Sequence, residues 1–155
     1  MTSQPAPSVR VQADDFDVAH EQALLTQDRK DIGALVSFIG LCRDEDNTLE
    51  ALELEHYPGM AEAEISRVAG EAIERWPLQG LTVIHRFGRI RPGEQIVFVL
   101  TAARHRADAF AAAEFLMDYL KTRAPFWKKE QRAGSAPGDW VSAKSEDDSA
   151  AERWR

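Results

Sequence analysis

Cysteine is almost absent: Cys42 is the only one in 155 residues, so the chain can form no intrachain disulfide framework and no CxxC metal pair. Chemistry on paired thiols within this chain is excluded. Histidine is also sparse. His20, His56, His85 and His105 lie far apart and form no ligand pair at helical spacing, so no metal is expected. The phosphate-cradling patterns GxGxxG and GxxxxGK[ST] are missing, as is the GxSxG of serine hydrolases. No apolar run approaches the roughly 20 residues of a membrane helix. The opening MTSQPAPSVR lacks the apolar stretch of a signal peptide, so a cytoplasmic protein with no membrane contact is expected.

What remains is an ordinary soluble composition, 44% hydrophobic and 29% charged, with enough chain for one domain and one core. The net charge of −7 conceals an asymmetry. Residues 1–84 carry 6 Lys/Arg against 16 Asp/Glu, whereas residues 85–132 carry 10 against 5. A nucleic-acid binder is usually basic overall, so a basic third inside an acidic chain points to one focused site for a small anion.

Residues 1–8, with two prolines and no periodicity, read as a disordered tail, and residues 9–155 as a single domain. Asp15 or Asp17 can cap a short helix. Ile32 to Ile39 reads as a buried strand, and Ala51 to Tyr57 as a half-exposed one, alternating Leu52, Leu54 and His56 against Glu53, Glu55 and Tyr57. Helical spacing of Ile65, Val68, Ala69, Ala72, Ile73 and Trp76 predicts a helix over Met60 to Trp76, stopped by Pro77. Leu81 to Ile90 and Gln95 to Thr101 read as a hairpin about the turn Arg91-Pro92-Gly93-Glu94. A second helix is expected from His105 to Arg123, ended by Ala124-Pro125, then an extended segment Phe126 to Arg132. Ala133 to Gly138 reads as loop, Trp140 to Ala143 as a strand and Ser149 to Trp154 as a helical turn. The pattern predicts an α+β domain with a mixed or antiparallel sheet and two main helices. The second helix is apolar nearly all round, which suggests that another subunit covers part of it.

Basic residues cluster around that helix: Arg104, His105 and Arg106 at its start, Lys121 and Arg123 at its end, and Lys128 and Lys129 beyond. Lys121 lies one turn beyond Met117, so it is expected against apolar surface, where lost hydration makes a lysine useful as nucleophile or proton carrier. In the extended segment Phe126, Lys128 and Glu130 share one side and Trp127 and Lys129 the other, which lets Lys128 return toward Lys121. His56 and His85 read as satisfied structural histidines.

The stretch MDYLKTRAPFWKKE (Met117 to Glu130), with LEHYPGMAE, RWPL, VIHRFGRIRPGE and HRADAF, resembles the large, catalytic subunit family of molybdopterin synthase over Val9 to Trp154. The resemblance implies a hammerhead-like α/β fold. It places Lys121 and Lys128 on the family's catalytic lysines, Arg43 on its substrate-binding arginine, and His105 and Arg106 on its anion-binding pair. Leu41, Cys42, Lys129 and Glu130 flank these positions and are expected to line the pocket partly through backbone. Leu41 stands where a polar or basic residue is expected, and Lys129 where the family often has arginine. Cys42 reads as an inert, partly buried thiol.

The implied reaction moves sulfur from the Gly-Gly thiocarboxylate of a small ubiquitin-like subunit onto cyclic pyranopterin monophosphate, making the molybdopterin dithiolene. It needs no cofactor. A homodimer within a heterotetramer is implied. The rival readings are a dimeric scaffold that only holds a partner's tail, and a small-anion sensor that does not consume its ligand.

Overall fold

The computed structural model describes residues 4–133, 140–141, 150–152 and 154. Among the described residues the main elements follow in the order β1 (Ser8–Gln12), α1 (Val18–Thr26), β2 (Ala34–Leu41), β3 (Leu49–His56), α2 (Met60–Arg75), β4 (Leu78–Arg86), β5 (Gly88–Ile90), β6 (Gln95–Ala103), α3 (Arg106–Arg123), β7 (Phe126–Arg132) and β8 (Trp140–Val141). The α+β class and the two long helices are as the sequence predicts. The strands, however, divide between two sheets. One is mixed, in the order β1-β4-β6-β2, with β1 parallel to β4; the other is antiparallel, in the order β5-β3-β7-β8.

Two departures have a common physical cause, the choice of sheet. The expected single strand Leu81 to Ile90 breaks at Phe87: β4 begins at Leu78 and pairs with β6, while β5 crosses to pair with β3. The hairpin with β6 survives, and Gly93 at φ 89° supplies the positive dihedral its turn needs, with Glu94 N–H donating to Arg91 O at 3.0 Å. The segment expected as a buried strand is instead the edge strand β2. It starts at Ala34, and Leu35, Phe38 and Leu41 are exposed.

Helix boundaries follow local chemistry. Asp17 caps α1 by accepting from His20 N–H at 3.0 Å, while Asp15 instead takes the N–H of Phe16 and the amide of Gln95. Trp76 and Ala124, each before a proline, take extended dihedrals that end α2 and α3. The main core lies between the mixed sheet and α2 and α3. Val83, Val97 and Val99 meet Ile65, Val68, Phe115 and Leu116 there. On the opposite face Ile84, Phe98 and Leu100 pack with Phe16 and Leu25 near α1. Burial on both faces explains the unbroken apolar runs of β4 and β6.

The apolar circumference of α3 is met inside the chain. Its buried residues, Ala109, Ala112, Ala113, Phe115, Leu116, Tyr119 and Leu120, join that main core, and Trp76 and Trp154 set their rings edge-on to Phe115. The subunit contact expected from this helix is therefore not needed to cover it, although Phe110 is 61% exposed. At the C-terminal end, Trp140–Val141 forms β8 and residues 150–152 a helical turn. The rest of the expected strand to Ala143, residues 134–138 of the expected loop, and Ser149 lie outside the described residues.

Candidate functional site

The predicted lysines and arginine stand on three different elements. Lys121 stands on the last turn of α3, Lys128 in the middle of β7, and Arg43 in the loop that leaves β2. The loop is built by Asp44, whose Oδ1 accepts the N–H groups of Asp46, Thr48 and Leu49 at 3.2–3.3 Å. Its far end is tied to β7, where Ala133 N–H donates to Thr48 O at 2.8 Å and Arg132 to the Thr48 hydroxyl at 2.8 Å. Its near end is tied to the hairpin turn. Cys42 N–H donates to Glu94 O at 2.8 Å and Gly93 N–H to Cys42 O at 2.7 Å.

Cys42 is buried, and its thiol lies 3.8 Å from Ile90 O. Burial pushes its pKa up, Glu94 adds to that push, and the positive charge of Lys128 opposes it. A thiol held protonated is a poor nucleophile, in keeping with the inert role the sequence suggests. The charge of Lys128 therefore acts at Cys42, the root of the Arg43 loop. Arg43 itself is exposed, at 74% of its side chain, and pairs with Glu45. Leu41 is 56% exposed beside a β-bulge at Gly40/Leu41.

Along β7 the alternation holds. Phe126, Lys128 and Glu130 pair in register with His56, Leu54 and Leu52, whereas Trp127 and Lys129 pair with Glu55 and Glu53. Cross-strand partners share a face, so Lys129 belongs to the opposite side of the sheet from Lys128. Glu130 is engaged by Arg132 at 2.8 Å.

Lys121 is exposed in this chain, so the desolvation expected from its apolar neighbours is not met by the chain alone. Its charge nonetheless reaches His85 on β4. The His85 ring stacks on Phe126 at 3.9 Å and 15°, and its Nδ1–H donates to Arg86 O at 2.8 Å. Burial pushes the His85 pKa down to about 4, and the charges of Lys121 and His56 act in the same direction. His85 is thus a satisfied histidine, as the sequence suggests, but one on which the charge of a predicted catalytic lysine acts. That electrostatic link was missed, because β4 and α3 are far apart in sequence.

His105 and Arg106 are not in this region. They are exposed at the start of α3, where His105 takes the N-cap position and helps line a recess of about 570 Å³ with Arg29, Asp31, Gln79, Arg104 and Asp108. Among the described residues no group of three or more His, Cys, Asp or Glu side chains converges as a metal site. No helix among them is long and apolar enough to cross a membrane.

The fold defines an α+β protein with a mixed and an antiparallel sheet, and the predicted basic residues stand on α3, β7 and the loop after β2. The family model described as MoaE protein matches residues 11–123, and the chain belongs to that family, the catalytic subunits of molybdopterin synthase. A molybdopterin synthase catalytic subunit from Mesorhizobium japonicum is 67% identical over 155 residues, covering 100% of this chain and 98% of that one. A solved molybdopterin biosynthesis MoaE protein from Burkholderia ambifaria superposes with a TM-score of 0.82 at 50% identity, covering 96% of this chain and 97% of the other. The crystal structure of molybdopterin synthase from Staphylococcus aureus gives a TM-score of 0.76 at 27% identity, covering 85% and 95%.

Proposed function

We infer that this chain is the catalytic subunit of a molybdopterin synthase, a sulfurtransferase that makes the molybdopterin dithiolene from cyclic pyranopterin monophosphate in the cytoplasm. The observation that supports the site assignment is that the charge of Lys128 acts on Cys42 at the root of the Arg43 loop and that of Lys121 on His85, whose ring stacks on Phe126 two residues before Lys128, in a chain related over its whole length to such subunits.

Lys121 has the central catalytic role and Lys128 a supporting electrostatic one. Their ammonium groups stabilise negative charge at the carbonyl of an incoming thiocarboxylate, orient its sulfur and move protons during ring opening. Arg43 supplies a guanidinium fork to the phosphate, and Leu41, Cys42 and Glu130 border the pocket. The sulfur donor is a small ubiquitin-like companion ending in Gly-Gly, whose tail enters extended because only glycine lets a backbone approach the lysines closely.

His105 and Arg106 complete the phosphate site from the two-fold mate. An unbroken α3 holds His105 and Lys121, 16 residues apart, at roughly 24 Å, too far for one small pterin to touch both. A homodimer carrying two companions, a heterotetramer, resolves this. Mass spectrometry of the pterin after incubation with thiocarboxylated companion tests the reading: a product with two added sulfurs is expected. A pterin bound but unchanged would mark a sensor, and a companion bound with no pterin recognition would mark a scaffold.

A further inference from the structure

We propose that Gly33 is a positioning residue for His105 and Arg106: with no side chain of its own, it lets the loop between α1 and β2 lie against Arg104, and so fixes the two-residue link that delivers that pair at the head of α3. The inference rests on the reading that His105 and Arg106 serve the phosphate site of the two-fold mate.

The contact is between backbones. Gly33 stands just before β2, and its N–H donates at 3.1 Å to the carbonyl of Ala103, the last residue of β6. A Cβ on residue 33 would fall 2.0 Å from Arg104 O and 2.9 Å from Arg104 C, far inside ordinary contact. A flexible side chain could swing out of such a clash, but a carbonyl moves only with its chain. The loop is held from retreating by its ties to β4. Arg29 binds the Asp31 carboxylate at 2.9 and 3.2 Å and donates to Gln79 O at 2.8 Å, while the Gln79 amide donates to Asp31 O at 2.8 Å and to Asp31 Oδ2 at 3.0 Å. Because β6 lies between β2 and β4, these bonds stretch the loop across the end of β6, where Arg104 emerges. Arg29, Asp31 and Gln79 accordingly share one recess with Arg104 and His105.

The part that yields to a side chain at residue 33 is the link. Ala102 and Ala103 are buried at the end of β6, and the first turn of α3 is pinned to the same strand, where buried Ala109 accepts from the Thr101 hydroxyl at 2.7 Å. Between these anchors Arg104 and His105 are exposed and belong to no element. Displacement there moves the anion-binding pair and spares the rest of the site. Lys121 is at the far end of α3, and Arg43 lies beyond the far end of β2.

Gly33→Ala in the assembled synthase should raise KM for the cyclic phosphate about tenfold and hold kcat within about twofold. A general folding lesion would not choose between partners in mixed dimers, and this one should. Paired with Lys121→Ala chains it leaves one site whole, so activity at low substrate returns. Paired with His105→Ala chains it leaves a lesion in every site, so none returns. An unchanged KM, or any other pattern of recovery, would overturn the proposal. Histidine ring NMR gives a reading without turnover: Gly33→Ala should shift His105 and leave His56 and His85 in place, and an unmoved His105 counts against the proposal equally. Asp31→Ala, which loosens the same loop without adding a clash, carries the test if Gly33→Ala does not fold. Its KM should rise about fivefold, with the same choice of partners, and wild-type KM would refute the role. Should His105→Ala and Lys121→Ala chains fail to complement each other, the shared-site reading falls instead, and the His105 resonance still decides whether Gly33 sets that residue's place.

Discussion

Lys121 projects from the last turn of α3 and is exposed, so removing it subtracts a charge and its donors but no core volume. Lys121→Ala should therefore abolish molybdopterin formation while circular dichroism and the thermal midpoint stay at wild-type values. Lys121→Arg keeps the charge but changes shape and proton chemistry. It should hold less than about a tenth of wild-type turnover, a loss of roughly 1.4 kcal/mol or more; retention above that level would assign the residue a purely electrostatic role. A second residue-scale prediction concerns stability. The folded-state pKa of His85 is depressed, to about 4 against an ordinary 6.5, so the unfolded chain binds the proton more readily. Its contribution is fully present above pH 6.5 and is lost as pH falls toward 4, an effect of about 3 kcal/mol. Urea midpoints measured across that window should fall with acidity, and should fall less steeply in His85→Phe.

At the scale of elements, the site depends on how loops are tied down. The Arg43 loop has no regular structure, yet Asp44 gathers three of its N–H groups and the Gly93–Cys42–Glu94 backbone exchange fixes its root. Asp44→Ala should cost about 1 kcal/mol in stability, the typical value of such capping bonds. Its larger effect should be on substrate binding, because a loosened loop no longer presents the Arg43 fork. KM for the cyclic phosphate should rise several-fold with kcat nearly unchanged. An unchanged KM would remove Arg43 from the phosphate site. The same scale explains the open edge of β2. Its outward Leu35, Phe38 and Leu41 stand in an element that the mixed sheet pairs on one side only, so a run that looks fit for burial is left half-covered.

For the whole molecule the governing fact is the length of α3, which puts His105 with Arg106 and Lys121, both proposed for the site, at opposite ends of one rigid element. A shared site across a two-fold axis predicts complementation. A mixed dimer of His105→Ala and Lys121→Ala chains contains one site with both lesions and one with none, so activity should return although each parent is weak. If each site were confined to one subunit, every site in the mixture would keep a lesion. Verified mixed dimers that stay inactive would leave His105 as a helix-start residue and Arg43 as the main phosphate contact.

The sequence alone determined whatever depends on local chemistry or on ordered motifs. Helices α2 and α3 were legible because apolar spacing and the prolines at Pro77 and Pro125 act within a few residues, and the turn at Arg91 to Glu94 because proline and glycine dictate its dihedrals. The alternation that sets Lys128 apart from Lys129 was legible for the same reason, since a strand turns each successive side chain to the other face. Only the tertiary structure decided which sheet each strand joins, that β4 ends at Arg86 so that β5 can cross over, and that β2 is an edge. It also decided that α3 is covered by its own chain, that Lys121 remains exposed, and that His85 stacks on Phe126. These are long-range outcomes: they are fixed by which surfaces meet once the chain has collapsed, and no spacing within a single segment carries that information.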